Sequence, residues 1–237
     1  MGSDALIRCN TRLSARVLML FTDRVDAGRQ LAAKLTTYAN RSDVIVLALP
    51  RGGVPVAAEV AALLHAPLDV FLVRKIGAPG QPELAIGAIA AGGAEVLSHE
   101  LIDELDIPAG LVEQVIAREQ VELSRRDRAF RGNRPQPVLH GRVVILVDDG
   151  LATGATMAAA VVAIRRLKTA RLVVAVPVAS SQACERLRTL ADELVSVAVP
   201  PFFSAVGQWY DDFSQTTDDE VRQLLDAAES SPNQPFT

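Results

Sequence analysis

Asp148 and Asp149 stand side by side after the apolar run Val143–Val147, and Thr153-Gly154-Ala155-Thr156 follows shortly after them. Two adjacent carboxylates suit vicinal hydroxyls or a hydrated magnesium ion, because Mg2+ keeps several waters and is held through a carboxylate or two plus ligand phosphates. They would repel a bare phosphate. The threonine–glycine turn suits one: Gly154 lets the backbone approach an anion closely, and the hydroxyls of Thr153 and Thr156 add donors. A following helix would contribute the positive end of its dipole. The combined specification is a sugar with a phosphate at one end and a metal-bound group at the other.

These groups need a strand and a helix to hold them. Val143–Val147 has no polar residue to mark a solvent face, which predicts a strand buried on both faces of a parallel sheet. The alanine-rich segment from Thr153 to about Lys168 predicts a helix, with the amides of Gly154, Ala155 and Thr156 as unpaired first-turn donors. The aspartates then project from the carboxyl end of the strand, where open α/β sheets place their ligands. A second unit repeats this plan: strand Val44–Leu49, turn Pro50-Arg51-Gly52-Gly53, and a helix from about Pro55 to Leu64.

The stretch Val143–Met157, V-V-I-L-V-D-D-G-L-A-T-G-A-T-M, resembles the phosphoribosyl diphosphate (PRPP) binding motif of the type I phosphoribosyltransferases, and matches it without a gap. The resemblance implies Asp148 and Asp149 on the ribose hydroxyls and, through waters, on Mg2+ as cofactor. It implies Ala152, Thr153, Gly154, Ala155 and Thr156 around the 5'-phosphate, and Arg51, Gly52 and Gly53 on the pyrophosphate, joined by Arg74 and Lys75. It further implies a flexible loop over residues 77–83, with Gly77, Gly80 and Glu83, that closes over PRPP. The expected reaction is displacement of pyrophosphate from PRPP by a nitrogen nucleophile. Family members acting on 6-oxopurines often carry an aspartate where this chain has Ala152, which disfavours hypoxanthine or guanine and leaves a small-molecule acceptor unidentified. The P-R-G-G loop and the tail V-G-Q-W-Y-D-D-F also resemble an uncharacterised bacterial subgroup of the family. Some relatives bind PRPP or nucleotides without turnover, so a regulatory binding protein is the alternative; family members often pair as homodimers.

Elsewhere in the chain, Leu68–Val73 predicts a strand ending at Arg74-Lys75, and the prolines and glycines of residues 77–83 predict a mobile loop. Residues 84–90 and 95–98 predict a hairpin; residues 100–105 and 108–130 predict helices, the second ending in a basic cluster from Arg125 to Arg134 that suits a helix C-terminus. Strands 172–178 and 193–199 flank a crossover helix, and Trp209, Tyr210 and Phe213 either pack the tail on the core or, for Trp209 and Tyr210, stack on a planar acceptor. The expected class is α/β: an open, mostly parallel sheet with helices on both faces plus a small C-terminal hood-like segment. Its expected divisions are an N-terminal extension 1–22, a core 23–199 with a helical insertion 99–131, and a C-terminal segment 200–237 packing on the core.

Composition bounds the partners. With 237 residues and 49% hydrophobic content, the chain is long enough for a substantial core. A net charge of -4 offers no electrostatic case for nucleic acid or an anionic membrane surface, so any phosphate binding must be local. Cys9 and Cys184 lack metal or redox spacing, which points to reduced thiols and the cytoplasm. A phosphatase or hydrolase is disfavoured, because there is no G-x-S-x-G elbow, H-E-x-x-H pair or Walker loop.

Overall fold

The computed structural model describes residues 20–230. In chain order they form α1 (Arg24–Ala33), β1 (Val44–Ala48), α2 (Gly53–Leu64), β2 (Leu68–Val70), β3 (Val73–Ala78), β4 (Gln81–Ala90), β5 (Glu95–Leu97), α3 (His99–Glu104) and α4 (Ala109–Arg131). There follow β6 (Val143–Val147), α5 (Ala155–Arg166), β7 (Arg171–Val178), α6 (Ser181–Arg188), β8 (Glu193–Ala198) and α7 (Asp218–Glu229).

The main sheet has the order β2-β1-β6-β7-β8, and every neighbouring pair is parallel. Side chains alternate across a strand, so two-sided burial demands apolar residues at every position. That is what β1 and β6 supply. Val44, Val46, Ala48, Val143, Ile145 and Val147 pack on one face with Val54 and Val60 of α2 and Val221 and Leu225 of α7. Ile45, Leu47, Val144 and Leu146 pack on the other with Met157, Val161 and Ile164 of α5 and Leu187 of α6. From β1 the chain runs to β2 at one edge, whereas β6, β7 and β8 build outward on the other side. The strand order therefore reverses between β1 and β6, the point at which doubly wound sheets open a crevice for ligands.

A separate antiparallel sheet, β3-β4-β5, corrects two expectations. Residues 68–73 do not form one strand: β2 stops at Val70, Phe71 and Leu72 bury into opposite core faces, and Val73 begins pairing with Ala90 of β4. Nor is the segment 77–83 a free loop. Gly77 pairs with Ala85 and Ala78 with Gln81, so Pro79 and Gly80 form a tight turn, Gly80 taking φ 77°. Proline and glycine do mark a turn here, but it is two residues long, and Gly77, Gly80 and Glu83 belong to a hairpin tip. Gly77 sits at a register shift where a Cβ would come within 2.5 Å of the Pro82 carbonyl oxygen.

The N-terminal boundary also shifts. Residues 1–19 of the expected extension lie outside the described residues, but Phe21 is buried and bridges Tyr210 in parallel, so residues 20–22 belong to the body.

Four arginines of the basic cluster closing α4 pair within the chain, whereas Arg128 makes no ion pair among the described residues. Arg125 and Arg126 pair with Glu122, Arg134 with Asp226 and Glu229 of α7, and Arg131 with Asp69 of β2 at 3.1 Å. Arg131 and Asp69 side chains are only 1% and 14% exposed. Burial pushes Asp69 up to about 6, with the Arg131 guanidinium pulling against it. A folded-state value above the unfolded one means the folded protein holds an extra proton between the two. That contribution to stability is fully present below about pH 4 and is lost as the pH rises through about 6. We therefore expect the stability of wild type relative to Asp69→Asn to fall by up to about 3 kcal/mol between pH 4 and pH 7, read from urea midpoints. A pH-independent difference would contradict this environment for Asp69.

Candidate functional site

The two loops singled out in the sequence leave adjacent strands at the switch point. Ala48 of β1 lies in register with Val147 of β6, and the Leu49 amide donates to the Val147 carbonyl at 2.9 Å. Pro50-Arg51-Gly52-Gly53 and Asp148-Asp149-Gly150 consequently emerge side by side. The contact is close because both glycines face the aspartates. A Cβ on Gly53 would lie 2.9 Å from Asp148 Cα; one on Gly52 would overlap Asp149 Oδ2 and lie 2.8 Å from its Cγ. The Pro50–Arg51 peptide is cis.

Beyond the aspartates, Leu151 bridges to Ala179 after β7, and Ser180 Oγ donates to the Ala152 carbonyl at 2.6 Å, fixing the turn. The helix begins two residues later than the composition suggests. Gly154 is its N-cap, in the left-handed region at φ 68°, and its carbonyl accepts the first helical bond from the Ala158 amide at 2.8 Å. The amides of Ala155, Thr156 and Met157 are thus the first-turn donors. Thr153 and Thr156 are exposed beside them, as is Ala152, and Thr153 Oγ1 lies 3.4 Å from the Ala155 amide.

Asp148 and Asp149 are half-buried at the strand end. Asp148 Oδ1 accepts the Asp149 amide at 2.9 Å, while Oδ2 makes no hydrogen bond among the described residues. Burial, and then the Asp149 charge, push Asp148 well above the usual carboxylate range. Asp149 is raised by burial, with Arg24 opposing the shift. The Arg24 charge also pulls against the shift of Asp148, without a hydrogen bond to it. Among the described residues no group of three or more His, Cys, Asp or Glu side chains could hold a metal ion; two adjacent carboxylates would suit an ion that keeps several waters.

The remaining expected site residues divide. Arg51 reaches Asp218 at the start of α7, Nη1 to Oδ1 3.5 Å, and stays partly exposed at the loop. Arg74 does not stand at a strand end; it lies within β3 and Nε donates to the buried Glu119 of α4 at 2.6 Å, so reaching a pyrophosphate would require breaking that pair. Lys75 is exposed and lines a cavity of about 340 Å³ with Ala155 and Arg186. Tyr210 cannot stack on an acceptor: it is 2% exposed, its ring packs between Phe21 and Phe213, and its hydroxyl donates to the Asp149 carbonyl at 2.6 Å. Burial pushes its hydroxyl far above the ordinary phenol range. Trp209 packs at 6.2 Å from Phe203 and is half-buried.

One residue at the site carries no signal in the sequence. Arg24, at the start of α1, donates from Nε to Asp149 Oδ2 at 2.9 Å and places Nη2 2.8 Å from the same oxygen. The two residues are 125 positions apart, and no spacing rule links them.

A helix start with first-turn amides facing outward, a facing glycine loop and an acidic pair meet at one switch point, which puts the chain in the class of open α/β proteins with a crevice at the carboxyl ends of the strands. Similarity to known proteins narrows this class. A family model described as phosphoribosyl transferase domain matches residues 21–213, and the chain belongs to that family. It is 47% identical over 211 residues to two Mycobacterium tuberculosis relatives named "Putative phosphoribosyl transferase", Rv0571c and MT0597, covering 89% of this chain and 47% of each relative. The chain thus spans about half the length of those curated relatives. Among solved structures, TT1426 from Thermus thermophilus superposes with a TM-score of 0.80 at 46% identity, over 87% of this chain and 98% of that one. Among the described residues no helix is long and apolar enough to cross a membrane.

Proposed function

We propose that the chain transfers the 5-phosphoribosyl group of PRPP to a nitrogen nucleophile, releasing pyrophosphate. The observation that carries this reading is the meeting of both loops at the switch point, with Gly52 and Gly53 in contact with Asp149 and Asp148. The 5'-phosphate takes the amides of Ala155 to Met157 and the hydroxyls of Thr153 and Thr156. The ribose hydroxyls face the acidic pair, and the pyrophosphate takes the Arg51–Gly53 backbone and the Arg51 guanidinium, with Lys75 as a further cation. Arg74 contributes only if it leaves Glu119. Bound Mg2+, held through waters by the acidic pair, would neutralise charge on the departing pyrophosphate. The chain's own residues do positioning and electrostatic work, holding the sugar while the anomeric carbon gains oxocarbenium character as in other glycosyl transfers. The acceptor is a small nitrogen compound. Exposed Ala152 offers only a methyl group where 6-oxopurine enzymes often place a carboxylate, so adenine-like bases, pyrimidines and simple amines rank ahead of hypoxanthine and guanine.

The test is pyrophosphate release from PRPP across a panel of nucleobases and amines, with and without Mg2+. Magnesium-dependent release with one acceptor class, lost in Asp148→Asn, is the expected result. PRPP binding without release for any acceptor would replace the transferase with a PRPP-binding regulatory protein.

A further inference from the structure

The two aspartates of the pair are not held alike, although they are adjacent in sequence. Asp149 is held through one carboxylate oxygen and its main chain, and its Oδ1 makes no hydrogen bond among the described residues. Its Oδ2 receives two nitrogens of Arg24, its carbonyl receives the Tyr210 hydroxyl, and the Gly52 backbone closes against its carboxylate. Arg24 is itself fixed. Nη1 donates to the Ser214 carbonyl at 2.7 Å, and the guanidinium lies 4.0 Å from the centre of the Phe213 ring. Arg24 and Asp149 side chains are only 11% and 15% exposed, so solvent screens this pair little. Asp148 spends Oδ1 on the Asp149 amide, and its Oδ2 likewise makes no hydrogen bond among the described residues.

We infer that Arg24 is a positioning residue of the acidic pair: it ties Asp149 through Oδ2 to the body as a brace for the Gly52 loop, and so fixes the strand end from which the free oxygens, Asp149 Oδ1 and Asp148 Oδ2, meet the ribose and its metal. The inference rests on the proposed PRPP site and deepens it. A guanidinium suits the task because its planar fork can hold a carboxylate oxygen, a backbone carbonyl and a ring face at once, which a lysine ammonium cannot do. It also lets two carboxylates sit side by side with less mutual repulsion. In this arrangement α1 and the segment from Tyr210 to Ser214 are parts of the ligand site despite lying far from both motif loops in sequence.

A double-mutant cycle on PRPP affinity in the presence of Mg2+ tests it, using wild type, Arg24→Gln, Asp149→Asn and the double variant, with thermal unfolding of each. Arg24→Gln should weaken PRPP binding about tenfold, and the same change should have less than about a twofold effect once Asp149 is Asn, because coupled neighbours are non-additive. Arg24→Lys should recover part of the affinity. Equal losses in both backgrounds, or wild-type affinity in a destabilised Arg24→Gln, would overturn the positioning role and leave Arg24 a structural residue. Failure of wild type itself to bind PRPP would instead remove the underlying reading, so the two failures are distinct.

Discussion

Replacing Gly52 by alanine is expected to lower PRPP affinity by about a hundredfold while leaving the protein folded. The backbone is not the reason. Gly52 has φ -60° and ψ -30°, an ordinary helical conformation that alanine prefers, and it caps α2, so the substitution carries no intrinsic strain. The reason is space. An added Cβ would overlap Asp149 Oδ2 and lie 3.3 Å from Arg24 Nε. Asp149 cannot easily yield, being held by Arg24 through its side chain and by Tyr210 through its carbonyl. Either the carboxylate is displaced or the Arg51–Gly53 loop lifts from the strand end, and a misplacement near 1 Å in a positioned site costs on the order of a hundredfold. Titration of Gly52→Ala with PRPP, beside a circular dichroism melt, checks both halves of the expectation. Near-normal affinity would mean that the loop and the pair are not one site.

Gly154→Ala should produce the complementary defect at the other end of the ligand. Here conformation and contact act together: φ is 68°, a left-handed geometry that costs an L-residue about 1–2 kcal/mol, and a Cβ would lie 3.2 Å from Ala183 Cβ. Relief must come from movement of the α5 first turn, whose amides are the proposed phosphate donors. PRPP affinity is expected to fall about tenfold or more, and ribose 5-phosphate affinity with it. Pyrophosphate, measured as a competing ligand, should be affected far less. In Gly52→Ala the ranking should invert, with pyrophosphate suffering more than ribose 5-phosphate. Matching losses for both fragments in both variants would contradict separate phosphate and pyrophosphate ends.

How much of the fold and site is legible in the sequence follows from what each feature depends on. Val143–Val147 is readable to the residue because two-sided burial writes itself into an unbroken apolar run. The positions of the loops after β1 and β6 are readable because each lies between an unbroken apolar run and an alanine-rich helical segment. Residues 77–83 look like a free loop because proline and glycine mark a turn without stating whether its flanks pair, and pairing is decided by the partner strand. The break after Val70 is hidden for a related reason: Phe71 and Leu72 are as apolar as the strand they end, and only the change of sheet distinguishes them. Tyr210 suits packing and stacking equally, since an aromatic ring with a polar tip serves either. Arg24 leaves no trace at all. An arginine in the first turn of an amphipathic helix is commonplace, and its link to Asp149 exists only after α1, the strand end and the Phe213 segment have come together.

The most direct measurement is calorimetric titration of the purified protein with PRPP, with and without Mg2+, on wild type and on Asp148→Asn/Asp149→Asn. Saturable binding that requires magnesium and disappears in the double variant is the expected result. No binding by well-folded wild type, or binding that survives loss of both carboxylates, would contradict a PRPP site at this strand end.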